Sequence, residues 1–142
     1  MHSDEKLSYK ELLIGYQPSV LIVDDDSDNL LFASYIVQSM GFRYQTLSNG
    51  EKCLEVVKAM MPDVILLDII MPKVSGLDIA IALGKESHLN YIPLVAVTGL
   101  NRKKHLEEIL QAGFDSYILK PYLIEDLERQ IVASLTCNLK LH

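Results

Sequence analysis

The most constraining feature of this sequence is a run of four apolar residues, 64–67, that ends abruptly in the carboxylate of Asp68. The run is shorter than a typical globular helix, and it lacks the alternation of apolar and polar residues that marks a half-exposed strand. Continuous apolar strands of this kind are typical of parallel sheets that are buried on both faces. We therefore expect Asp68 at the carboxyl end of a buried strand, the edge at which open α/β sheets bind ligands.

The rest of the chain alternates between short apolar runs and segments with helical periodicity. Breaker residues such as Gly41, Pro62, Pro93 and Gly113 separate them. Strands that alternate with helices predict an α/β fold, in which five parallel strands carry helices on both faces through right-handed crossovers. We predict strands at residues 20–23, 44–47, 64–68, 94–97 and 117–119, and helices at residues 27–40, 51–60, 77–87, 101–112 and 123–135.

Length and charge restrict the class of protein. The 142 residues leave room for one domain, which we place at residues 19–136 between an N-terminal extension (1–18) and a C-terminal tail (137–142). Residues 7–14 of the extension have the composition of a short helix ended by Gly15. The net charge of −6 argues mildly against a nucleic-acid partner.

The sequence also predicts a cytoplasmic protein without a membrane partner. No apolar run approaches the roughly 20 residues needed to cross a bilayer. Residues 1–6 carry charges of both signs and lack the apolar core of a signal peptide. Cys53 and Cys137 lie far apart in the sequence and show no metal-binding spacing, so we expect two reduced thiols without a role.

Four of the predicted strands end in polar side chains. Parallel strands end at the same edge of a sheet, so three or four carboxylates would share this edge if the first and third strands are neighbours. Their repulsion, about 1 kcal/mol per pair at 4 Å in water, requires a positive charge to offset it. A lysine offers one charge and a divalent cation offers two, and a ligand set made only of oxygens suits Mg²⁺ or Mn²⁺. The residues concerned are Asp24, Asp25, Asp26, Asp68, Thr98 and Lys120.

These strand ends resemble the receiver domain of two-component response regulators. The motifs that match are Leu21-Ile22-Val23-Asp24-Asp25, Leu67-Asp68-Ile69-Ile70-Met71-Pro72 with Gly76, Val97-Thr98-Gly99 and Tyr117-Ile118-Leu119-Lys120-Pro121. They stand in the family's order and spacing and cover most of the chain. The resemblance implies a flavodoxin-like fold with strand order 2-1-3-4-5.

The resemblance also implies a role for each matching residue. Asp68 would be the phosphoacceptor, whose carboxylate takes a phosphoryl group from phosphohistidine in a phosphorelay. Asp25 and Asp68 would bind Mg²⁺ through their side chains and Ile70 through its carbonyl, with Asp24 acting mostly through water. Thr98 and Lys120 would contact the phosphoryl oxygens, and the Lys120–Pro121 bond is a candidate for the cis isomer.

Signalling in such a domain would pass from Thr98 and Tyr117 to a surface built from the fourth helix, fifth strand and fifth helix. The implied partners are a histidine kinase or histidine phosphotransfer protein upstream and an unidentified protein downstream. The resemblance is compatible with a monomer or with a weak homodimer through the same surface. Ile70 and Leu100 occupy the two positions that tune phosphoryl turnover in this family. Both are apolar and cannot orient a water molecule, so we expect slow self-dephosphorylation.

Several features depart from the family pattern or leave alternatives open. Asp26 is a third consecutive acid and is expected to cap the first helix. The basic run Arg102, Lys103, Lys104 and His105 is either a solvated face or a docking site for an acidic partner.

Two other functions remain possible. A phosphatase or phosphotransferase of the haloacid dehalogenase type needs a further acidic pair at a strand end, whereas Glu125 and Asp126 are predicted within the last helix. A receiver-like scaffold that takes no phosphate would not need the acidic set.

Overall fold

The computed structural model describes the backbone of residues 15–140 and the side chains of residues 15–137. The short helix predicted for residues 7–14 lies outside the described residues. Five strands form one parallel sheet in the order β2-β1-β3-β4-β5, which confirms the expected topology. The strands are β1 (Ser19–Val23), β2 (Arg43–Leu47), β3 (Val64–Asp68), β4 (Leu94–Thr98) and β5 (Ser116–Leu119).

Helices cover both faces of this sheet, as predicted. α1 and α5 pack on one face, around Val20, Ile22 and Leu66, and the other three helices pack on the opposite face, around Leu21 and Ile65. Every residue of β1, β3 and β4 is buried because both faces are covered. The helices are α1 (Ser27–Ser39), α2 (Cys53–Met60), α3 (Gly76–Gly84), α4 (Lys103–Gln111) and α5 (Ile124–Lys140).

Most element boundaries agree with the sequence within one or two residues, but α3 and α5 do not. α3 ends at Gly84 rather than at residue 87, because the chain tightens into turns in which Lys85 and Glu86 donate hydrogen bonds three residues back. α5 continues to Lys140, well past residue 135. The sequence after Leu135 contains no Gly or Pro to stop the helix, so the last buried leucine was a poor marker of its end.

Two further expectations concern the cysteines and membrane spans. Cys53 is buried, Cys137 is exposed, and both are free thiols, in line with the sequence. Among residues 15–140, no helix combines the length and the apolar character that a membrane span requires.

Candidate functional site: an acidic cavity at the carboxyl edge of the sheet

Strand pairing brings the polar strand ends together. Val23 pairs with Leu67 in the sheet, so Asp24 follows β1 next to Asp68 at the end of β3. Asp68 in turn pairs with Val97, which places Thr98 beside it. The cavity at this edge has a volume of about 380 Å³. Its walls are Asp24, Asp25, Asp26, Asn29, Asp68, Ile70, Thr98, Gly99 and Lys120.

Three carboxylates form a compact cluster in this cavity. Asp24, Asp25 and Asp68 each offer one oxygen, and these oxygens all lie within 4.8 Å of one another. Asp24 and Asp68 are buried, whereas Asp25 is exposed to solvent. Three carboxylates at this spacing form an all-oxygen donor set that fits Mg²⁺ or Mn²⁺, and the exposed side leaves room for the water ligands that Mg²⁺ retains.

Lys120 neutralises part of this negative charge. Its Nζ lies 3.1 Å from Oδ2 of Asp24 and 3.5 Å from Oδ1 of Asp68. The lysine reaches both acids because Lys120 directly follows β5, whose Leu119 pairs with Thr98 of β4. The ammonium group therefore lies within 3.5 Å of an oxygen of each buried carboxylate.

The environment of Asp68 disfavours its charged form. Burial, together with the negative charge of Asp24, raises the pKa of Asp68 from 3.8 to about 6, although the Lys120 ammonium acts in the opposite direction. A carboxylate with this pKa is still mainly ionised at neutral pH. It is poorly solvated and close to like charges, and a carboxylate in that state gains stability when a cation or a covalent bond removes the repulsion.

The consecutive acids Asp24, Asp25 and Asp26 have different structural roles. Asp26 accepts hydrogen bonds from the backbone N–H groups of Asp28 and Asn29 and so caps α1, as expected. Oδ1 of Asp24 accepts the N–H of Asp26 at 2.9 Å, which fixes the buried carboxylate at the start of the same turn. Asp25 is left free to face the solvent side of the cavity.

A glycine sets the conformation of the loop after Asp68. A Cβ on Gly76 would collide with the backbone carbonyl of Asp68 and would lie 2.9 Å from Cα of Ile69. The N–H of Gly76 donates to the carbonyl of Ile69 at 2.9 Å. This close approach folds the loop back against β3 and leaves Ile70 61% exposed at the rim of the cavity.

Thr98 connects the cavity to the loop that leads into α4. Its side chain is buried, and its Oγ1 accepts a hydrogen bond from the N–H of Leu100 at 3.0 Å. Its carbonyl accepts the N–H of Lys120 at 2.8 Å. The Lys120–Pro121 peptide bond is cis, as the sequence resemblance led us to expect.

The structure separates the remaining predicted residues from the acidic cluster. Tyr117 is half-buried opposite Ala96 of β4 and packs on the core of its face, and Leu100 is half-buried in the β4–α4 loop. Neither lines the cavity. Asn29 does line it and was missed in the sequence. It lies three residues after the Asp26 cap, and this helical offset was the available signal.

The acidic pair needed for a haloacid dehalogenase site is not at the cavity. Glu125 and Asp126 lie in the first turn of α5. Asp126 accepts the N–H of Leu123 at 3.0 Å and pairs with Arg129 at 2.7 Å, which is a capping role. The cavity therefore does not match the dehalogenase arrangement, and its strand-end acids, lysine and threonine match the receiver motifs of two-component response regulators instead.

Comparison with known proteins agrees with this class. The family model described as response regulator receiver domain matches residues 20–132, and the chain belongs to this family. The polar-differentiation response regulator DivK of Brucella anthropi is 36% identical over 103 residues, which cover 72% of this chain and 84% of that protein.

Solved structures show the same fold. A CheY-like receiver domain from Methanospirillum hungatei superposes with a TM-score of 0.82 at 25% identity and covers 89% of this chain and 99% of its own. The chemotaxis protein CheY4 of Vibrio cholerae gives a TM-score of 0.80 at 24% identity, with 84% and 99% covered, and is evidence for the fold alone. The protein is a two-component response-regulator receiver, a signalling protein rather than a member of the dehalogenase class.

Proposed function

We propose that Asp68 accepts a phosphoryl group from a histidine kinase or histidine phosphotransfer protein. The observation that carries the proposal is the buried carboxylate of Asp68 at the end of β3, with Asp24 and Asp25 within 4.8 Å and the Lys120 ammonium 3.5 Å away. The protein's own output is a change of surface, so we assign it no enzymatic activity beyond assisting its own phosphorylation and dephosphorylation, and we place it in the cytoplasm.

The transfer itself follows from the geometry of Asp68. A carboxylate oxygen of Asp68 attacks phosphorus, the bond between phosphorus and the histidine nitrogen breaks, and the electron pair remains on the imidazole, which takes up a proton. Lys120 then shifts its ammonium toward a phosphoryl oxygen, because Asp68 has lost its own charge. The Thr98 hydroxyl donates a hydrogen bond to a second phosphoryl oxygen.

A divalent cation, Mg²⁺ or Mn²⁺, belongs in this cavity. Asp25 and Asp68 would hold it through carboxylate oxygens, Ile70 through its backbone carbonyl and Asp24 mainly through water. The bound cation supplies charge neutralisation between the nucleophile and the incoming phosphoryl group. Asp24 also retains its contact with Lys120 and so keeps the lysine in reach of Asp68.

Phosphorylation is coupled to the surface through Thr98 and Tyr117. Movement of Thr98 toward the phosphoryl group frees space above Ala96, into which the half-buried ring of Tyr117 turns. This biases the surface formed by α4, β5 and α5, where the downstream protein binds, and the same surface is available for a weak homodimer.

The direct test is phosphorylation of the full chain by acetyl phosphate with Mg²⁺, followed by mass spectrometry. We expect one phosphoryl group on Asp68 and none on the Asp68→Asn variant. Asp78→Asn is the matched control, since Asp78 is an exposed acid in the first turn of α3. Stable phosphorylation of Asp24 or Asp25 in place of Asp68, or none with Mg²⁺ present, contradicts the proposal.

We also propose that the phosphoryl group is long-lived. Ile70 lies at the rim of the cavity and Leu100 in the β4–α4 loop, and neither side chain can orient a water molecule for attack on phosphorus. Ile70→Asn adds an amide that can do so, and we expect it to shorten the lifetime. Ile81→Asn is the control because Ile81 is an exposed isoleucine on α3. A lifetime of seconds in the unmodified chain would refute slow turnover.

A further inference from the structure

One surface beside the cavity concentrates positive charge at the start of a helix, ahead of the exposed acids Glu107 and Glu108. Arg102, Lys103 and Lys104 are consecutive and exposed at the point where the β4–α4 loop enters α4. We call these three residues the basic surface. The chain as a whole has a net charge of −6, so a concentration of three cations is unusual within it.

The basic surface has no charge partner within the part of the chain that the structure describes. Among the described residues, none of its three side chains forms an ion pair within 4.0 Å. Glu108, one turn away, contacts His105 at 3.4 Å instead. Lys58, Lys73, Lys120 and Arg129, by contrast, each pair with an acid.

These charges also weaken the helix that carries them. α4 has no acidic residue in its first turn and no side-chain cap, whereas α1 and α3 have both. Cations at a helix N-terminus oppose the helix dipole, and residues 15–137 provide no ion pair that compensates for this. The three cations therefore lower the stability of α4 and gain no ion pair among the described residues in exchange. Binding of an external partner to these charges would explain their presence.

An apolar residue continues the same face of α4. Leu110 is seven residues after Lys103, which is about two helical turns and about 10 Å along the axis, and it is 51% exposed. The surface therefore presents cations at its start and an exposed leucine at its end, with the exposed Glu107 between them. Its complement is a peptide segment with acidic side chains and an apolar side chain about 10 Å away.

The basic surface is mechanically linked to the phosphorylation cavity. The Thr98 hydroxyl accepts the N–H of Leu100, and only Asn101 separates Leu100 from Arg102. A Thr98 hydroxyl that turns toward a phosphoryl group moves the acceptor on which this loop is held. The orientation of α4, which carries Lys103, Lys104 and Leu110 together, relative to the rest of the domain then depends on the phosphorylation state.

We propose that the basic surface and Leu110 bind an acidic amphipathic segment of a downstream protein, and that phosphorylation strengthens this binding. The inference rests on the proposed function of Asp68 and adds the chemistry of the partner. A duplex nucleic acid is the less favoured ligand because the net negative charge of the chain repels a polyanion outside the three-residue contact.

The test uses fluorescence anisotropy with a labelled synthetic helical peptide that carries glutamates on one turn and leucine two turns away. It is titrated with the full chain with and without Mg²⁺ and beryllofluoride, a mimic of the phosphoryl group. Lys103→Gln/Lys104→Gln is compared with Lys52→Gln/Lys85→Gln, which removes the same charge from two exposed lysines that form no ion pair among the described residues.

We expect beryllofluoride to strengthen peptide binding by at least about fivefold, and the peptide to strengthen beryllofluoride binding by the same factor. The Lys103/Lys104 variant should bind roughly three- to tenfold more weakly, and the control should be unchanged. Raised salt should weaken binding to the unmodified chain.

Equal loss of affinity in both double variants, or none in either, overturns the basic surface as the binding site. Tighter, lysine-dependent binding of a DNA duplex or of anionic vesicles overturns the assignment of a protein segment. Binding that ignores beryllofluoride, in a chain shown to bind it, overturns the coupling. Failure of beryllofluoride to bind at all contradicts the role of Asp68 instead, and the unloaded titrations still test the surface.

Discussion

The two ends of β3 carry aspartates in opposite environments. Asp63 precedes the strand, and both of its oxygens accept hydrogen bonds, Oδ1 from the Tyr16 hydroxyl and Oδ2 from the N–H and hydroxyl of Ser19. Asp68 ends the strand and faces Asp24 and Asp25, with the Lys120 ammonium as its counter-charge. The two acids are only five residues apart in the sequence.

Asp63 therefore serves the stability of the fold, whereas Asp68 is placed for chemistry, although the two residues lie at the two ends of one strand. Asp63 ties the chain entering β1 to the chain entering β3, and its hydrogen bonds are complete. Asp68 is held in a site where its charge is only partly compensated, and such a group has free energy to gain from a cation or a phosphoryl transfer. Substitutions at the two positions should therefore change the free energy of unfolding in opposite directions.

The largest expected effect is a gain of stability at Asp68. In metal-free buffer at pH 7, Asp68→Asn should raise the free energy of unfolding by up to about 3 kcal/mol, the equivalent of a pKa shift from 3.8 to about 6 in a buried group. Urea unfolding measures it, with Asp78→Asn expected to lower stability by no more than about 1 kcal/mol. A clear loss of stability in Asp68→Asn would mean that Lys120 outweighs the acids.

The stability difference between Asp68→Asn and the wild type should increase with pH. The folded pKa of Asp68 is raised above its unfolded value, so the folded state binds a proton more readily. The advantage of Asp68→Asn should be complete above about pH 6 and should vanish as the pH falls toward 4, because the wild-type carboxyl then becomes neutral as well. Unfolding curves of both chains at these pH values test this, and a gap that persists at pH 4 would argue against the charge as its cause.

A smaller change of opposite sign is expected at Asp63. Asp63 accepts three hydrogen bonds, two of which come from the buried Ser19, and Asp63→Asn replaces one of its two acceptor oxygens with an amide group that can only donate. The loss should be about 1–3 kcal/mol, since a donor is left without its partner. Urea unfolding in the same metal-free buffer provides the measurement. A neutral or stabilising Asp63→Asn would remove the contrast between the two ends of β3.

The two aspartates also differ in how far the sequence could predict them. Asp68 follows an unbroken apolar run, and the parallel topology together with the strand order that the family resemblance implies places it near Asp24, Thr98 and Lys120. Asp63 follows Pro62 in an ordinary turn, and its partner Tyr16 is 47 residues away in the sequence. Such a pairing depends on how the first chain segment lies across the sheet, which neither periodicity nor spacing specifies. The length of α5 was missed for a related reason, since no local signal marks its end.

The smallest expected effect isolates the contact between Tyr16 and Asp63. Tyr16→Phe removes one hydrogen bond at a side chain that is half-exposed, so the loss should be only about 0.5–1 kcal/mol near neutral pH.

Partial burial and the bond to Asp63 raise the pKa of Tyr16 to about 12. The wild-type advantage should therefore be complete below about pH 10 and should disappear as the pH rises toward 12, because the ionised phenol can no longer donate a hydrogen bond. Urea unfolding of the two chains at neutral pH and at pH 11 tests this, and Tyr35→Phe, which alters an exposed tyrosine of α1 without a hydrogen bond among the described residues, is the control and should match the wild type at neutral pH. If Tyr16→Phe matches the wild type at neutral pH, Ser19 alone accounts for the stabilising role of Asp63.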